Sequence, residues 1–179
     1  MKRLALVLAA ASLAPALLVM SSPALAALKV GDPAPDFKRA AALNGKGVDF
    51  SLKAALKSGP VIVYFYPKAF TGGCSLEAHQ FSEAVDKFKT KHVTVVGVST
   101  DDVGTLKRFS EQTCQGKFEV VSDLNGDVSK SYDAKMDGLN MANRISYVVG
   151  QDGRVAFVHA DGDASTHVPA LLKAVGASE

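Results

Sequence analysis

Apolar runs typical of buried strands dominate the hydrophobic pattern of the chain. Residues 61–66 read Val-Ile-Val-Tyr-Phe-Tyr, and residues 93–98 read Val-Thr-Val-Val-Gly-Val. Continuous runs of β-branched and aromatic residues indicate strands that are buried on both faces, as in a parallel sheet. Residues 118–121 predict a third, shorter strand. Two further apolar stretches, 145–149 and 154–159, flank a Gln-Asp-Gly turn and predict a hairpin.

Between these strands the apolar positions recur at helical spacing. Residues 74–89 carry them every three or four positions, which is the pattern of a helix with one buried face. Asp101 and Asp102 are both candidate N-caps for a later helix. The remaining predicted helices are residues 51–57, 103–112, 127–132 and 166–175. This order predicts an α/β domain with a mixed central sheet, parallel in its core strands and antiparallel at the hairpin, flanked by helices.

The first 26 residues have the pattern of a secretory signal peptide. Lys2 and Arg3 form a basic start, a long apolar stretch follows, and Ala24-x-Ala26 supplies the small residues that a signal peptidase needs. An uncleaved membrane anchor is the alternative, but the stretch falls short of about 20 clean apolar residues and contains a proline. We therefore expect cleavage after Ala26 and one exported domain, residues 27–179, with no membrane contact. A Gram-negative source would make it periplasmic.

Composition and charge narrow the class of protein. Of the 179 residues, 47% are hydrophobic and 21% charged, which is the profile of a globular domain and not of a disordered, collagen-like or coiled-coil chain. Without the leader the 20 basic residues fall to 18, equal to the acidic residues, and no basic run remains to bind nucleic acid. Two cysteines are too few for a disulfide scaffold, so the fold depends on an apolar core.

The candidate metal ligands do not form a site. Asp123-x-Asn125-x-Asp127 opens like a calcium loop, but the glycine and glutamate required at its sixth and twelfth positions are missing. We expect a turn and a helix cap there instead. His159 and His167 lack ligand spacing with any third ligand. The sequence thus predicts no metal.

The loop after the first buried strand carries the candidate chemistry, because ligands in α/β sheets bind beyond the carboxyl ends of strands. Cys74 falls at the predicted first turn of a helix, where unpaired N–H groups and the positive dipole end favour a thiolate. Thr71 is close enough to hydrogen-bond the sulfur or a substrate oxygen, and Gly72-Gly73 permits close backbone approach. Pro67 stiffens the entry. On position alone, a buried structural cysteine is an equal alternative.

The pattern Pro67-x-x-x-Thr71-x-x-Cys74 resembles the active-site motif of the peroxiredoxins. Glu77 and the alanine after it are similar to the bacterioferritin comigratory protein branch, also called peroxiredoxin Q. The resemblance covers nearly all of the expected mature chain, roughly residues 30–172. It implies a thioredoxin-like fold and a thiol-dependent peroxidase that reduces hydrogen peroxide and organic hydroperoxides without a metal or organic cofactor.

The resemblance also implies a role for each residue of the motif. Cys74 would be the peroxidatic cysteine, whose thiolate attacks the peroxide bond and becomes a sulfenic acid. Thr71, the backbone N–H groups near Gly73, and Arg144 would bind the peroxide, while Pro67 shields the sulfur. Arg144 would also stabilise the thiolate and the departing oxygen. A thioredoxin-like dithiol protein would recycle the enzyme, and members of this branch are often monomers.

The second cysteine, Cys114, is the candidate resolving cysteine. This branch often places one five residues after the peroxidatic cysteine, but here that residue is His79, and Gly72 stands where a proline is common. A subset of the branch carries it in the helix predicted here at 103–112, so the resemblance implies a disulfide between Cys74 and Cys114. A structural disulfide and a free buried thiol are the alternatives. The corresponding alternative functions are an exported thiol–disulfide oxidoreductase and a non-catalytic protein of the same fold.

Overall fold

The computed structural model describes residues 27–178, so the predicted signal peptide lies outside the described residues. Within this range the chain forms one seven-stranded sheet with helices on both faces. The strands are β1 (Lys38–Leu43), β2 (Lys46–Ser51), β3 (Val61–Phe65), β4 (Thr94–Ser99), β5 (Glu119–Ser122), β6 (Ile145–Val149) and β7 (Val155–Ala160). The helices are α1 (Leu52–Ala55), α2 (Gly72–Thr90), α3 (Val103–Gln112), α4 (Asp127–Ser131) and α5 (His167–Ala174), which follows a 3-10 turn, Ala164–Thr166.

The strand order is β2-β1-β5-β4-β3-β6-β7. The three central strands β5, β4 and β3 are parallel, and the β6–β7 hairpin adds to β3 in the antiparallel direction. The predicted mixed α/β sheet with a parallel core and an antiparallel hairpin is confirmed. Because β3 and β4 are parallel and adjacent, the loops that follow them meet at one edge of the sheet.

The apolar pattern of the sequence does not predict a second hairpin, β1–β2. Its strands contain mostly alanine, lysine and other residues of low strand propensity, so the apolar pattern gives no signal. The local signal is the dipeptide Asn44-Gly45 between the strands, where both residues have positive φ, 48° and 75°. Asn-Gly is the preferred pair for the two-residue turn of a hairpin. The hairpin joins the sheet because β1 pairs with β5, which completes the far edge.

The core consists of two apolar clusters, one on each face of the sheet. Along β3, Ile62 and Tyr64 face the cluster beneath α2, α3 and α5, while Val61, Val63 and Phe65 face the opposite cluster. All five side chains are fully buried, as the unbroken apolar run predicted. Both cysteines belong to the first cluster.

Acidic side chains bind N–H groups in the first turns of α3 and α4. Asp102 accepts the Thr105 N–H at 2.9 Å and so caps α3. Asp123 accepts the N–H groups of Val128 and Ser129 at 3.0 and 2.8 Å, which confirms that this acidic segment is a turn and a helix cap. Among the described residues, no helix has both the length and the apolar character needed to cross a membrane.

Candidate active site

Cys74 is the third residue of α2 and is almost fully buried. Thr71 is the N-cap of this helix, and the first intrahelical bond runs from the Ser75 N–H to the Thr71 carbonyl at 2.8 Å. The N–H groups of Gly72, Gly73 and Cys74 precede that bond, so the helix itself does not use them. They form the positive end of the helix dipole beside the sulfur. The predicted position of Cys74 in a first helical turn is confirmed.

Arg144 reaches this turn from the neighbouring strand. Ile145 pairs with Phe65 at the end of β3, which places Arg144 beside the loop that leads to Cys74. Its Nη2 donates to Cys74 Sγ at 3.5 Å, its Nη1 donates to Glu77 Oε2, and its Nε donates to the Gly162 carbonyl at 3.2 Å. These three bonds fix the guanidinium plane, so the positive charge stays at the sulfur.

The Arg144 charge and the Glu77 carboxyl act on each other. Burial opposes the charge of Arg144, but Glu77 and Cys74 raise its pKa above the usual value, so the group stays cationic. Burial raises the pKa of Glu77 to about 7, although Arg144 acts in the opposite direction. One half-buried cation, Arg144, therefore faces two buried acids, the Cys74 thiol and the Glu77 carboxyl.

Glu77 and His167 are site residues to which the sequence analysis assigned no role. Glu77 lies three positions after Cys74 on the same buried face of α2, and this i, i+3 spacing is the signal that could have revealed it. His167, the first residue of α5, is completely buried, with Nδ1 3.5 Å from Glu77 Oε1. No local pattern connects these two residues, because the contact spans 90 positions of the chain.

The loop before α2 is anchored to the end of β4. The Ala69 N–H donates to Asp101 Oδ2 at 2.7 Å, and the Ser99 hydroxyl donates to the same oxygen at 2.9 Å. Asp101 is thus a loop anchor, and only Asp102 is the helix cap. The next residue, Phe70, has a φ of 63°, and its ring packs edge-on against Phe109 at 5.2 Å between centroids. A bulky residue in the left-handed region is strained and needs such support.

Thr71 and Pro67 complete the loop. The Thr71 hydroxyl donates to the Lys68 carbonyl at 2.9 Å, so its hydrogen is committed and its oxygen can still accept a hydrogen bond. Pro67 is half-buried and follows directly after the β3 strand and Tyr66. The structure therefore gathers Cys74, Gly73 and Arg144 in one place and puts Thr71 at the helix start, while Cys114 lies on another segment.

Cys114 is fully buried just after α3, and both cysteines are free thiols. Burial raises the pKa of Cys114 far above its usual value, so it is not a nucleophile in this conformation. Its segment nevertheless touches the helix of Cys74, because the side-chain amide of Gln115 donates to His79 Nδ1 at 3.2 Å. His79 occupies the position at which this branch often has its resolving cysteine. It thus contacts Gln115, the residue directly after Cys114.

Substitution of Gly73 by alanine tests the placement of Arg144, and the same substitution of Gly72 is the matched control. A Cβ on Gly73 would lie 3.1 Å from Arg144 Nη2, so the guanidinium would have to shift away from the sulfur. We expect Gly73→Ala to slow peroxide reduction roughly tenfold, since small misplacements of a reacting group carry large rate penalties. A Cβ on Gly72 meets no atom of residues 27–178 within 4 Å, so Gly72→Ala should keep the rate and gain roughly 0.5 to 1 kcal/mol of stability. Stopped-flow kinetics and urea unfolding measure both, and equal rates in the two variants would contradict the placement.

The chain is similar to known proteins in sequence and in fold. Residues 30–158 match the AhpC/TSA family. The chain is 34% identical over 154 residues to peroxiredoxin Bcp of Escherichia coli K12, a match that covers 81% of this chain and 94% of that protein. The crystal structure of peroxidoxin BcpB from Mycobacterium tuberculosis has a TM-score of 0.76 and 28% identity, over 85% of this chain and 99% of the other. The reduced 2-Cys peroxiredoxin of Plasmodium vivax shares the fold, with a TM-score of 0.74 and 24% identity over 82% of this chain and 80% of that chain.

Proposed function

The chain belongs to the AhpC/TSA family and is a thiol-dependent peroxidase of the peroxiredoxin type, and from this premise we propose that Cys74 is its peroxidatic cysteine. The observation that carries the proposal is the bond from Arg144 Nη2 to Cys74 Sγ at the start of α2. A fixed cation and a helix N-terminus both favour the thiolate, which is the attacking form of cysteine. Among residues 27–178, neither a fixed cation nor a helix N-terminus lies at Cys114, and its burial disfavours ionisation.

In the first step the Cys74 thiolate attacks one oxygen of the hydroperoxide. An S–O bond forms, the O–O bond breaks, and the sulfur loses two electrons to the departing oxygen, which leaves as an alcohol or water after taking up a proton. Arg144 and the N–H groups of Gly73 and Cys74 stabilise the negative charge that develops on the oxygens. The Thr71 oxygen, whose hydrogen is bound to Lys68, accepts the hydrogen of the peroxide. Pro67 limits the entry of water.

In the second step we propose that Cys114 attacks the sulfenic acid and forms a disulfide with Cys74, releasing water. The contact between His79 and Gln115 supports this assignment, because it brings the Cys114 segment to the helix that carries Cys74. Both sulfurs are buried, and a disulfide requires Cα atoms within about 7 Å. The start of α2, the Cys114 segment, or both must therefore unwind locally on oxidation.

In the third step a dithiol protein reduces the disulfide. The resemblance supports a thioredoxin-like donor, and the pattern of residues 1–26 supports export, so we propose a donor of the same oxidising compartment. Purified thioredoxin-like proteins of that compartment should restore both thiols of the oxidised enzyme. Failure of all of them to do so would exclude this donor class.

Reaction with one equivalent of hydrogen peroxide tests the roles proposed for Cys74 and Cys114. Intact mass and free thiols are read within seconds for the wild type and for Cys114→Ser. We expect the wild type to lose two thiols without gaining oxygen and Cys114→Ser to gain one oxygen atom, because its sulfenic acid has no partner. A wild type that gains oxygen and keeps the Cys114 thiol would show that the resolving thiol comes from another molecule. Unchanged hydrogen exchange in both cysteine segments after oxidation would contradict the local unwinding.

A further inference from the structure

Behind the Arg144–Cys74 pair lies a buried carboxyl with one unsatisfied oxygen. Glu77 is fully buried, and its Oε2 accepts a bond from Arg144. Among the described residues, its Oε1 has no hydrogen-bond partner. A buried carboxylate oxygen without a donor is unfavourable, whereas a protonated carboxyl can donate from that atom.

The His167 nitrogen beside that oxygen is an acceptor. His167 Nε2 lies 3.0 Å from the Asp161 carbonyl, which can only accept, so Nε2 carries the hydrogen. Nδ1 therefore presents a lone pair, which accepts from the Ser146 hydroxyl at 2.8 Å and faces Glu77 Oε1 at 3.5 Å. Burial lowers the pKa of His167 to about 4, which keeps the ring neutral near neutral pH. Two acceptors, His167 Nδ1 and Glu77 Oε1, thus face each other. If the Ser146 hydroxyl rotates away from Nδ1, a proton on Glu77 Oε1 can form a hydrogen bond to that nitrogen.

Arg144 cannot fully neutralise both of its acidic neighbours at once. Its guanidinium bonds to Cys74 Sγ and to Glu77, three positions apart on α2, and its side chain is 9% exposed. Ionisation of one acid therefore disfavours ionisation of the other, as in any pair of coupled buried acids. The favoured state with a Cys74 thiolate has an uncharged Glu77.

We propose that Glu77, with His167 as its hydrogen-bond acceptor, stores the proton that the peroxidase step consumes. Glu77 is a neutral carboxylic acid while Cys74 is a thiolate, and it becomes a carboxylate when the sulfur becomes a sulfenic acid. The inference rests on the proposed role of Cys74. A thiolate, a hydroperoxide and a carboxylic acid give a sulfenic acid, an alcohol and a carboxylate, so charge and protons balance when the Glu77 proton ends on the departing oxygen. After the reaction the sulfenic acid is uncharged, and the Glu77 carboxylate becomes the anion that pairs with Arg144.

The surroundings contain few groups that compete for this role. Within the described part of the chain, the titratable or charged groups that face the pair are Tyr64 on β3, Cys74 on α2, Arg144 before β6, His159 on β7, and Asp161 and Asp163 before α5. Burial raises the pKa of Tyr64 well above its usual value, so this phenol keeps its proton. His159 packs edge-on against His167 and bonds to the Thr166 hydroxyl, and Asp163 bonds to Ser165. Glu77 is the group with a raised pKa near 7 at the sulfur.

Infrared difference spectroscopy of Cys114→Ser before and after peroxide reads this proton directly. At pH 6 to 7 we expect peroxide to remove a carboxylic acid band and to add carboxylate bands. The acid band should shift in deuterium oxide and be absent from the difference spectrum in Glu77→Gln. Cys74→Ser should show no peroxide-induced change.

His167→Gln tests the acceptor. Glutamine can still donate to the Asp161 carbonyl but offers no acceptor at the position of Nδ1, so the pH at which the acid band titrates should fall by about one unit. His92→Asn is the matched control, because His92 is exposed and its φ of 57° suits asparagine. It should leave the band unchanged.

The outcomes separate the two proposals. No carboxylic acid band, or a band that survives oxidation of Cys74, would overturn the proton store and leave Cys74 as the peroxidatic residue. An unshifted titration in His167→Gln would remove His167 from the pair. A Cys74 that does not react with peroxide would overturn both proposals.

Discussion

Cys74→Ser should abolish peroxide reduction, with a loss of at least about a thousandfold, because removal of a catalytic nucleophile typically has effects of this size or larger. Serine keeps the shape of the buried site but has no thiolate for Arg144 to stabilise. The remaining thiol, Cys114, cannot substitute, since it is fully buried and its pKa is raised. The measurement is the second-order rate of peroxide consumption by the reduced protein under single-turnover conditions.

Cys114→Ser is the matched control for this experiment, because it removes the other buried cysteine of the same apolar cluster. It should retain the first turnover at close to the wild-type rate and lose only the second step. Circular dichroism of both variants separates loss of chemistry from loss of fold. If Cys74→Ser kept the first turnover and Cys114→Ser lost it, the two roles would have to be exchanged.

Arg144→Lys should slow the first turnover by roughly a hundredfold to a thousandfold, the range found when one preorganised donor to a developing anion is removed. Lysine keeps the positive charge but has no planar fork, so it cannot bond to Cys74, Glu77 and the Gly162 carbonyl at the same time. The variant should also leave Glu77 buried without its fixed partner. The expected consequence is a shift of Glu77 toward the protonated form.

The control is Arg108→Lys on α3, where an exposed arginine donates to the Gly104 carbonyl at 3.2 Å, a contact that is not part of the site. We expect its rate to equal that of the wild type. Stopped-flow kinetics with hydrogen peroxide and with an organic hydroperoxide report both variants. A wild-type rate in Arg144→Lys would mean that a point charge suffices and that the geometry of the guanidinium has no role.

Local patterns account for the part of the site that could be predicted. The helix of residues 74–89, the strand before it and the glycines between them follow from apolar spacing and backbone propensity, and together they place Cys74 in a first helical turn. Arg144 was assigned only through the family resemblance, since an arginine before a strand has no signal of its own. Its place follows from the pairing of β6 with β3, which brings together residues that lie far apart in the chain.

Long-range contacts account for what the sequence did not reveal. Glu77 and His167 meet because α5 packs against α2. The sequence pattern indicates Asp101 only as a candidate helix cap, but its neighbour Asp102 has that role and Asp101 bonds to a loop 32 positions away. The β1–β2 hairpin was missed because its stability comes from pairing with β5, and its alanine-rich strands show no pattern of their own.

The bond between Ala69 and Asp101 fixes the chain just before the helix that carries Cys74. Before Thr71 the chain is attached to the sheet, because the Ala69 N–H donates to Asp101 at the end of β4 and the Phe70 ring packs against Phe109. Downstream, the exposed pair Gly72-Gly73 has the lowest helix propensity of any residue except proline. Uncoiling of the first turn of α2 would therefore stop at Thr71, which becomes the pivot. The sheet thus fixes the point from which the segment of Gly72, Gly73 and Cys74 would unwind, and the length of these three residues would limit how far the sulfur moves.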